Sequence, residues 1–230
     1  MSTNVGNVET LNRENSAEQE IKKDLLYINF FKRGFDIIGG IIGMILLVPI
    51  SIIVLIMNLV NKENGPLLYS HTRVGKNGKL FKLYKYRTMH VNADDELEEL
   101  LKKDEKIREE WEKNRKLSND PRVTRVGKIL RKTSLDEMPN FISVIKGDIS
   151  IVGPRAVVPN ELDYFGESKD KILSVKPGIT GYWAVNGRSN TTYDERVKME
   201  AYYADNISFV LDFKILLKTF LQVLKKDGAI

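Results

Sequence analysis

Hydrophobic and polar residues fall along this chain in blocks of sharply different pattern. From Ile37 to Val60 no residue is charged and only Ser51 and Asn58 are polar, which gives roughly 36 Å of helix at about 1.5 Å per residue. That length is enough to cross a bilayer. The run is too long and too far from the N-terminus for a signal peptide, and no small-residue cleavage site follows it. Pro49 divides it into arms of about 18 Å, each near half the roughly 30 Å hydrocarbon thickness. A sharp break there makes a hairpin that enters and leaves one leaflet. Lys32-Arg33 precede the run and Lys62 follows it, so flanking charge does not favour opposite sides. The alternative is a kinked helix that spans, since membrane helices tolerate proline. Gly39-x-x-x-Gly43 is a spacing at which another helix can pack closely.

Beyond the run the period changes. Leu67 to Met89 reads as a β-hairpin turning at Asn77-Gly78. Asn92 to Leu117 is densely charged, with a narrow stripe of Leu97, Leu101, Ile107 and Trp111, and reads as one solvated helix. Ser118-Asn119-Asp120-Pro121-Arg122 is the turn that ends it. Lys176-Pro177-Gly178-Ile179-Thr180-Gly181, with Tyr182, Trp183 and Asn186-Gly187-Arg188, is a glycine-rich loop and strand of a kind that can cradle a diphosphate. Thr192-x-x-Glu195 is a capping box opening a helix from Tyr193 to Ala204, which makes Asp194 and Glu195 structural. Ile207 to Lys226 sets Lys214, Lys218, Gln222 and Lys225 on one face against Phe213, Leu217, Phe220, Leu221 and Leu224. Such a helix suits the interface of an anionic membrane, and packing onto a core explains it equally well.

Charge and composition narrow the chemistry. The net charge of +5 and a pI near 9.1 fit nucleic acid, anionic lipid or a polyphosphate alike. No recognition-helix pattern or aromatic stacking platform supports nucleic acid. The absence of cysteine excludes a disulfide framework, a thiolate nucleophile and a cysteine-ligated zinc. His71 and His90 are the only histidines and have no partner at ligand spacing. There is no G-x-x-x-x-G-K-[ST] loop for nucleotide hydrolysis.

The densest chemistry lies in Arg131-Lys132-Thr133-Ser134-Leu135-Asp136-Glu137-Met138-Pro139-Asn140, followed by Gly153-Pro154-Arg155. Two adjacent carboxylates among cations can hold a metal and a phosphate together while one carboxylate oxygen attacks phosphorus. Ser134-x-x-Glu137 also spells a capping box, in which Glu137 merely closes a helix. Pro139 argues against that register, because it would be the fifth helical residue, where an N–H is needed. An N-cap between Leu135 and Met138 places the proline where no donor is required. The pair then sits at a positive helix end, which is expected to lower its pKa and keep it ionised.

Lys32-Arg33-x-Phe35-Asp36, the apolar run with its proline, Lys85-Tyr86-Arg87-Thr88-Met89, Asp120-Pro121-Arg122, Thr133-Ser134-Leu135-Asp136-Glu137, Gly153-Pro154-Arg155 and Lys176-Pro177-Gly178-x-Thr180-Gly181 occur in an order that resembles the bacterial sugar transferases. Those are the monotopic polyprenyl-phosphate phosphoglycosyl transferases, and the charged segment after Asn92 is most similar to their undecaprenyl-phosphate galactose and glucose phosphotransferase branch. The resemblance implies transfer of a sugar 1-phosphate from a UDP-sugar to undecaprenyl phosphate with release of UMP, the first membrane step of exopolysaccharide, capsule or O-antigen synthesis. It also implies that Asp136 is the nucleophile of a covalent phosphosugar intermediate and that Glu137 joins it in binding Mg²⁺. Attack on a diphosphate needs cations, and arginine's planar fork suits phosphate. Arg87, Arg122, Arg131 and Arg155 are therefore the candidate contacts, followed by Lys85, Lys176 and Arg188.

The fold implied is α+β and monotopic, with a re-entrant, proline-broken helical hairpin, a β-hairpin and interfacial amphipathic helices around a cytosolic catalytic domain. Residues 1–24 form a polar tail, 25–62 the membrane-associated helix and 63–230 the catalytic domain on the cytoplasmic face of a bacterial inner membrane. Membrane lipids are partners, nucleic acid is not, and a homodimer is permitted. The alternative is a catalytically inactive, membrane-anchored interaction protein of the same fold. Val48-Pro49 stands where some members of the family carry Ser-Pro at the helix break.

Overall fold

The computed structural model describes residues 27–114, 117–188 and 191–225; the polar tail assigned to residues 1–24 lies outside them. The fold is α+β. Helix α1 (Lys32–Val60) is followed by strands β1 (Leu68–Val74) and β2 (Leu80–Tyr86), then α2 (Ala93–Lys103), α3 (Glu105–Asn114), α4 (Arg125–Thr133) and α5 (Asn140–Lys146). Next come β3 (Ser150–Val152), α6 (Lys169–Leu173), β4 (Gly178–Thr180), α7 (Tyr182–Asn186), α8 (Tyr193–Asp205) and α9 (Phe209–Lys225). Two compact units emerge. One takes the described residues up to Ile41, Arg73–Phe81 and Val144–Lys225, and the other takes Ile42–Thr72 and Lys82–Ser143. The division falls inside α1 and inside the β1–β2 hairpin.

In the first unit β3 and β4 pair in parallel, with Ser150 opposite Gly178 and Val152 opposite Thr180. This pairing brings Gly153-Pro154-Arg155 beside Lys176-Pro177-Gly178. Glycine is required at the crossing, because a Cβ on Gly178 would lie 2.1 Å from the Gly153 nitrogen. Around the pair, Val152, Val185, Tyr203, Ile207 and Ile215 form a core. A second cluster joins Val74, Val157, Phe165, Ile172 and Val197.

Helix α9 packs onto the core, one of the two roles open to it. Ile215 is buried in the core, Thr219 shares a 2.8 Å hydrogen bond with Thr180 and Gln222 donates to the Val185 carbonyl. Outward the helix shows both kinds of residue: Lys214 and Lys218 are exposed, and Phe209, Phe213, Leu217 and Phe220 are all more than half exposed, as are Phe30 and Phe31. Large apolar residues exposed in such number are what contact with lipid or another apolar partner would cover.

A buried polar knot fixes the start of α1 to this unit. The Asp212 carboxylate accepts from Lys32 at 2.5 Å and from the Tyr27 and Tyr203 hydroxyls at 2.7 Å each, while Lys32 also donates to the Val152 carbonyl. Burial, followed by the neighbouring carboxylate, pushes both phenols far above their ordinary range, so they act as fixed donors.

In the second unit, Met44, Leu47, Ile50, Val54 and Met57 recur at helical spacing along α1 and pack against Tyr86, Val126, Leu130, Leu135, Met138 and Ile142. Ser51, a polar residue within the apolar run, meets the Tyr86 hydroxyl at 2.6 Å. Ile45, Val48, Ile52, Ile56, Leu59 and Val60 remain exposed. Helix α1 has the length and composition to cross a membrane. It is continuous from Lys32 to Val60 with Pro49 inside it, not the two arms expected from the sequence. Proline removes one hydrogen bond and bends a helix, but flanking bonds can carry the helix past it.

Three further expectations meet the structure. The hairpin turns at Asn77 and Gly78, both with positive φ (56° and 77°) as the sequence pair suggested. The charged stretch after Asn92 is two helices instead of one, because Asp104 takes an extended backbone and its carboxylate accepts from the Lys106 and Ile107 amides. Gly39 and Gly43 accept side chains from this same chain: a Cβ would lie 2.2 Å from Ile151 at the first and 2.2 Å from Phe141 at the second. The Gly-x-x-x-Gly spacing is therefore filled within the chain and supplies no dimer face.

Replacing Asp212 with alanine leaves a buried ammonium and two buried hydroxyls without their acceptor. Urea unfolding in detergent should show a loss of about 3–5 kcal/mol, and a loss below 1 kcal/mol would mean the knot does not hold α1 in place.

Candidate active site

The acid pair is placed by an abrupt change of direction between α4 and α5. Thr124 caps α4 by accepting from the Gly127 amide, and the helix ends at Ser134, whose backbone is left-handed at φ 55°. Leu135–Glu137 then form one 3₁₀ turn, and α5 begins at Asn140 just after the buried Pro139. Ser134 makes no side-chain cap, so the capping-box alternative is excluded and the proline sits where no helical donor is needed. Leu135 and Met138 pack against the α1 stripe, and that packing holds the half-buried Asp136 and Glu137 in the turn between them.

Two cations from neighbouring elements act on the pair. Lys85, in β2, binds Glu137 at 2.5 Å with both side chains about one-third exposed. Arg131, in the last turn of α4, is oriented by its Nε–H, which donates to the Thr88 hydroxyl at 3.0 Å. Asp136 has no ion pair within 4 Å among the described residues. Burial raises its pKa, Lys85 opposes that rise, the Glu137 charge adds to it and Arg131 opposes it. The shift is opposite to the lowering expected from a helix N-terminus, because desolvation outweighs a terminal dipole when the group precedes only a short helix.

Two carboxylates are fewer than a metal cage, and no group of three or more acidic, histidine or cysteine ligands occurs among the described residues. They do fit Mg²⁺, which is ordinarily held by one or two carboxylates while substrate phosphates and water complete its shell.

The remaining candidates divide. Arg122 is buried, and its guanidinium is committed to Asp120 through Nε and Nη2 (2.8 and 2.6 Å) and to the Ala93 carbonyl, with the Trp111 ring 5.4 Å away. It is a structural ion pair, which corrects its reading as a phosphate contact. Arg87 donates to the Pro66 carbonyl and lies over Tyr69, so no contact brings it to the acids. Arg155, Lys176 and Arg188 belong to the other compact unit. There Arg155 is exposed with its guanidinium 5.8 Å from the Trp183 ring. Lys176 is half-buried next to β4, and Arg188 has a left-handed backbone at φ 50°.

Sequence reasoning missed Glu200, which supports Arg155. Its Oε1 accepts from the Arg155 amide at 3.0 Å, the residue is 2% exposed and Oε2 has no hydrogen-bond partner among the described residues. Arg196, one turn earlier, donates to Glu161 and is flanked by Trp183 and Tyr193 with both rings 4.9 Å away. The available signal was an acid at a core position: Arg196, Val197, Glu200 and Tyr203 share the buried stripe of α8.

The site is thus an acid pair carried on a turn, packed beside an apolar helix and faced by the cations Lys85 and Arg131. The chain belongs to the bacterial sugar transferase family, whose profile matches residues 27–226. It is 46% identical over 87% of its length to an undecaprenyl-phosphate galactose phosphotransferase of Salmonella typhimurium. It is 44% identical over 87% of its length to a UDP-galactose-lipid carrier transferase of Erwinia amylovora. In both cases it spans 42% of the relative. Identity to the exopolysaccharide production protein ExoY of Sinorhizobium fredii is 42%, covering 86% of this chain and 87% of that one.

Burial pushes the Glu200 carboxyl up from 4.5 to about 7. The folded state therefore holds its proton more tightly than the unfolded state, and stability falls as pH rises from about 4.5 through 7, then levels off. Glu200→Gln keeps an acceptor for the Arg155 amide and removes the titration. Unfolding at pH 5 and pH 8.5 should show a shallower pH dependence in the variant, which should gain on the order of 3 kcal/mol relative to wild type at the higher pH. An unchanged slope would contradict the assignment.

Proposed function

We propose that this protein transfers a sugar 1-phosphate, galactose or glucose 1-phosphate being favoured, from a UDP-sugar to undecaprenyl phosphate. The observation that carries the reading is Asp136, half-buried and without an ion pair, next to a Glu137 that Lys85 holds. A carboxylate oxygen of Asp136 attacks the sugar-bearing phosphorus, and the bond from that phosphorus to the bridging oxygen breaks, so UMP leaves with the electron pair. The acyl phosphate that remains carries the sugar. A phosphate oxygen of undecaprenyl phosphate then attacks the same phosphorus and expels Asp136 as the carboxylate, leaving a lipid diphosphosugar. Membership of the family and the names of its relatives support the two substrates.

Arg131 lends positive charge to the turn, and Lys85 keeps Glu137 in place. Asp136 and Glu137 would hold Mg²⁺, which when bound offsets charge on the diphosphate and the departing UMP. Arg155, Lys176, Arg188 and Arg87 are proposed as further phosphate contacts; Arg122 is not.

We place both ends of α1 on the cytoplasmic face, with the exposed stripe in one leaflet and Pro49 bending the helix without ending it. The support is packing on both halves of the helix. Arg33 donates to the Val144 and Ile145 carbonyls and Gly39 meets Ile151, while Leu47 and Val54 are buried and Glu63 accepts from the Val126 amide.

Asp136→Asn should lower UMP release by about 10³-fold or more and abolish hydroxylamine-sensitive labelling by a UDP-sugar carrying ³²P at the sugar-side phosphorus. Lys85→Ala should cost about 10–100-fold in kcat/KM. Retained labelling in the Asn variant would exclude the nucleophile. Single cysteines placed at Asn4 and at Lys169 of this cysteine-free chain should both react from the cytoplasmic side; labelling from opposite sides would refute the re-entrant arrangement.

A further inference from the structure

We infer that Arg33 and Lys176, with Lys76 at their side, form a site for the anionic phosphate headgroup of a membrane lipid. All three belong to the same compact unit. The first two converge on Gly147, which closes α5 with φ 85°: a Cβ there would lie 3.3 Å from Arg33 Nη2 and 3.6 Å from Lys176 Nζ. Glycine leaves the space between the two cations open.

Arg33 is held rigidly but not neutralised. Its Nη1 and Nη2 donate to the Val144 and Ile145 carbonyls at 2.7 and 2.9 Å, capping the end of α5. Neither Arg33 nor Lys176 has a carboxylate at ion-pair distance among the described residues. Lys176 is half-buried. Burial, then Arg33 and Lys76, lower its pKa, against the opposing charges of Asp36 and Asp148. Asp36 is itself buried and its Oδ1 accepts from the Ser150 hydroxyl and the Ile151 amide, so it is not turned over to the lysine. An Arg33 held by two carbonyls and a half-buried Lys176 beside it, neither in an ion pair among the described residues, can both give charge-assisted hydrogen bonds to one phosphate.

The surroundings select the source of that phosphate. Lys32 beside Arg33 is fully engaged with Asp212, so Arg33 is the cation left at the head of α1. One turn further on, the exposed apolar face begins with Ile37 and Ile38, and Ile145, whose carbonyl Arg33 binds, is exposed as well. A ligand carrying phosphate at one end and hydrocarbon at the other matches both parts, whereas free phosphate matches only the first.

The inference rests on the membrane-facing reading of α1 above and not on the transfer chemistry. The purified full chain in nanodiscs is treated with an amine-acetylating reagent near neutral pH, and acetylation of Lys176 is followed by mass spectrometry with exposed Lys198 as reference. The nanodiscs contain phosphatidylcholine alone, phosphatidylcholine with phosphatidylglycerol, phosphatidylcholine with undecaprenyl phosphate, or phosphatidylcholine with inorganic phosphate in the buffer. Either anionic lipid should slow Lys176 acetylation about tenfold, as expected for a ligand at ten times its Kd. Arg33→Gln should remove most of that protection. Equal protection by inorganic phosphate, equal rates in all four samples, or undiminished protection in Arg33→Gln would overturn the site. Flotation with phosphatidylcholine vesicles separates the two failures: a chain that does not float refutes the membrane-facing reading, and one that floats without Lys176 protection refutes the lipid site alone.

Discussion

The carboxylate of Asp212 is the group on which the placement of the apolar helix depends. Lys32 opens that helix, and an ammonium at such a position must either reach water or be fully paired. Here it is paired with Asp212 while two phenols and a strand carbonyl complete the network. Directional bonds of this kind fix an orientation that apolar contact leaves free to slide. With its first residue fixed, α1 presents one stripe to its own protein and the other outward. The exposed apolar face of α9, which carries Asp212, belongs to the same compact unit. One buried ion pair therefore joins the two apolar elements of that unit.

Much of this architecture was legible in the sequence because its signals are local. Asn77-Gly78 can adopt two successive positive φ values at little cost, and Thr192-x-x-Glu195 closes its own helix end within four residues; both appear where their chemistry put them. The acid pair was legible through Pro139, whose missing N–H excluded one helix register. What was not legible depended on partners distant in sequence. The pairing of β3 with β4 joins two short glycine-rich segments that carry no strand-length hydrophobic pattern. The Gly39-x-x-x-Gly43 spacing showed that something could pack closely there, but not that Ile151 and Phe141 of the same chain do so. Arg122 and Arg155 look alike as arginines in turn motifs. Burial against the distant Ala93 carbonyl and Trp111 ring makes the first a structural pair with Asp120, while the second is exposed.

The same contrast sorts the cations of the chain. A basic side chain is committed when its donors meet a carboxylate out of water, as Lys32 and Arg122 do. It is uncommitted in that sense when the partners of its side chain are only backbone carbonyls or an aromatic face, as with Arg33 and Arg155 among the described residues. Net charge does not separate these groups, which is why a balance of +5 fits several classes of partner and decides among none.

The acid pair follows this logic with its signs reversed. Two adjacent carboxylates in one half-buried turn cannot be equally stabilised by a single lysine. Lys85 binds Glu137, and at Asp136 burial, with the like charge of Glu137 added, outweighs the opposing charges of Lys85 and Arg131. Nucleophilicity tends to fall as a carboxylate is stabilised by hydrogen bonds and ion pairs, so the less stabilised oxygen is the better attacking group. The 2.5 Å pair between Lys85 and Glu137 thus separates two chemically similar side chains: Glu137 is held by an ion pair, Asp136 has none among the described residues, and the proposed attack on phosphorus falls to Asp136 on that difference.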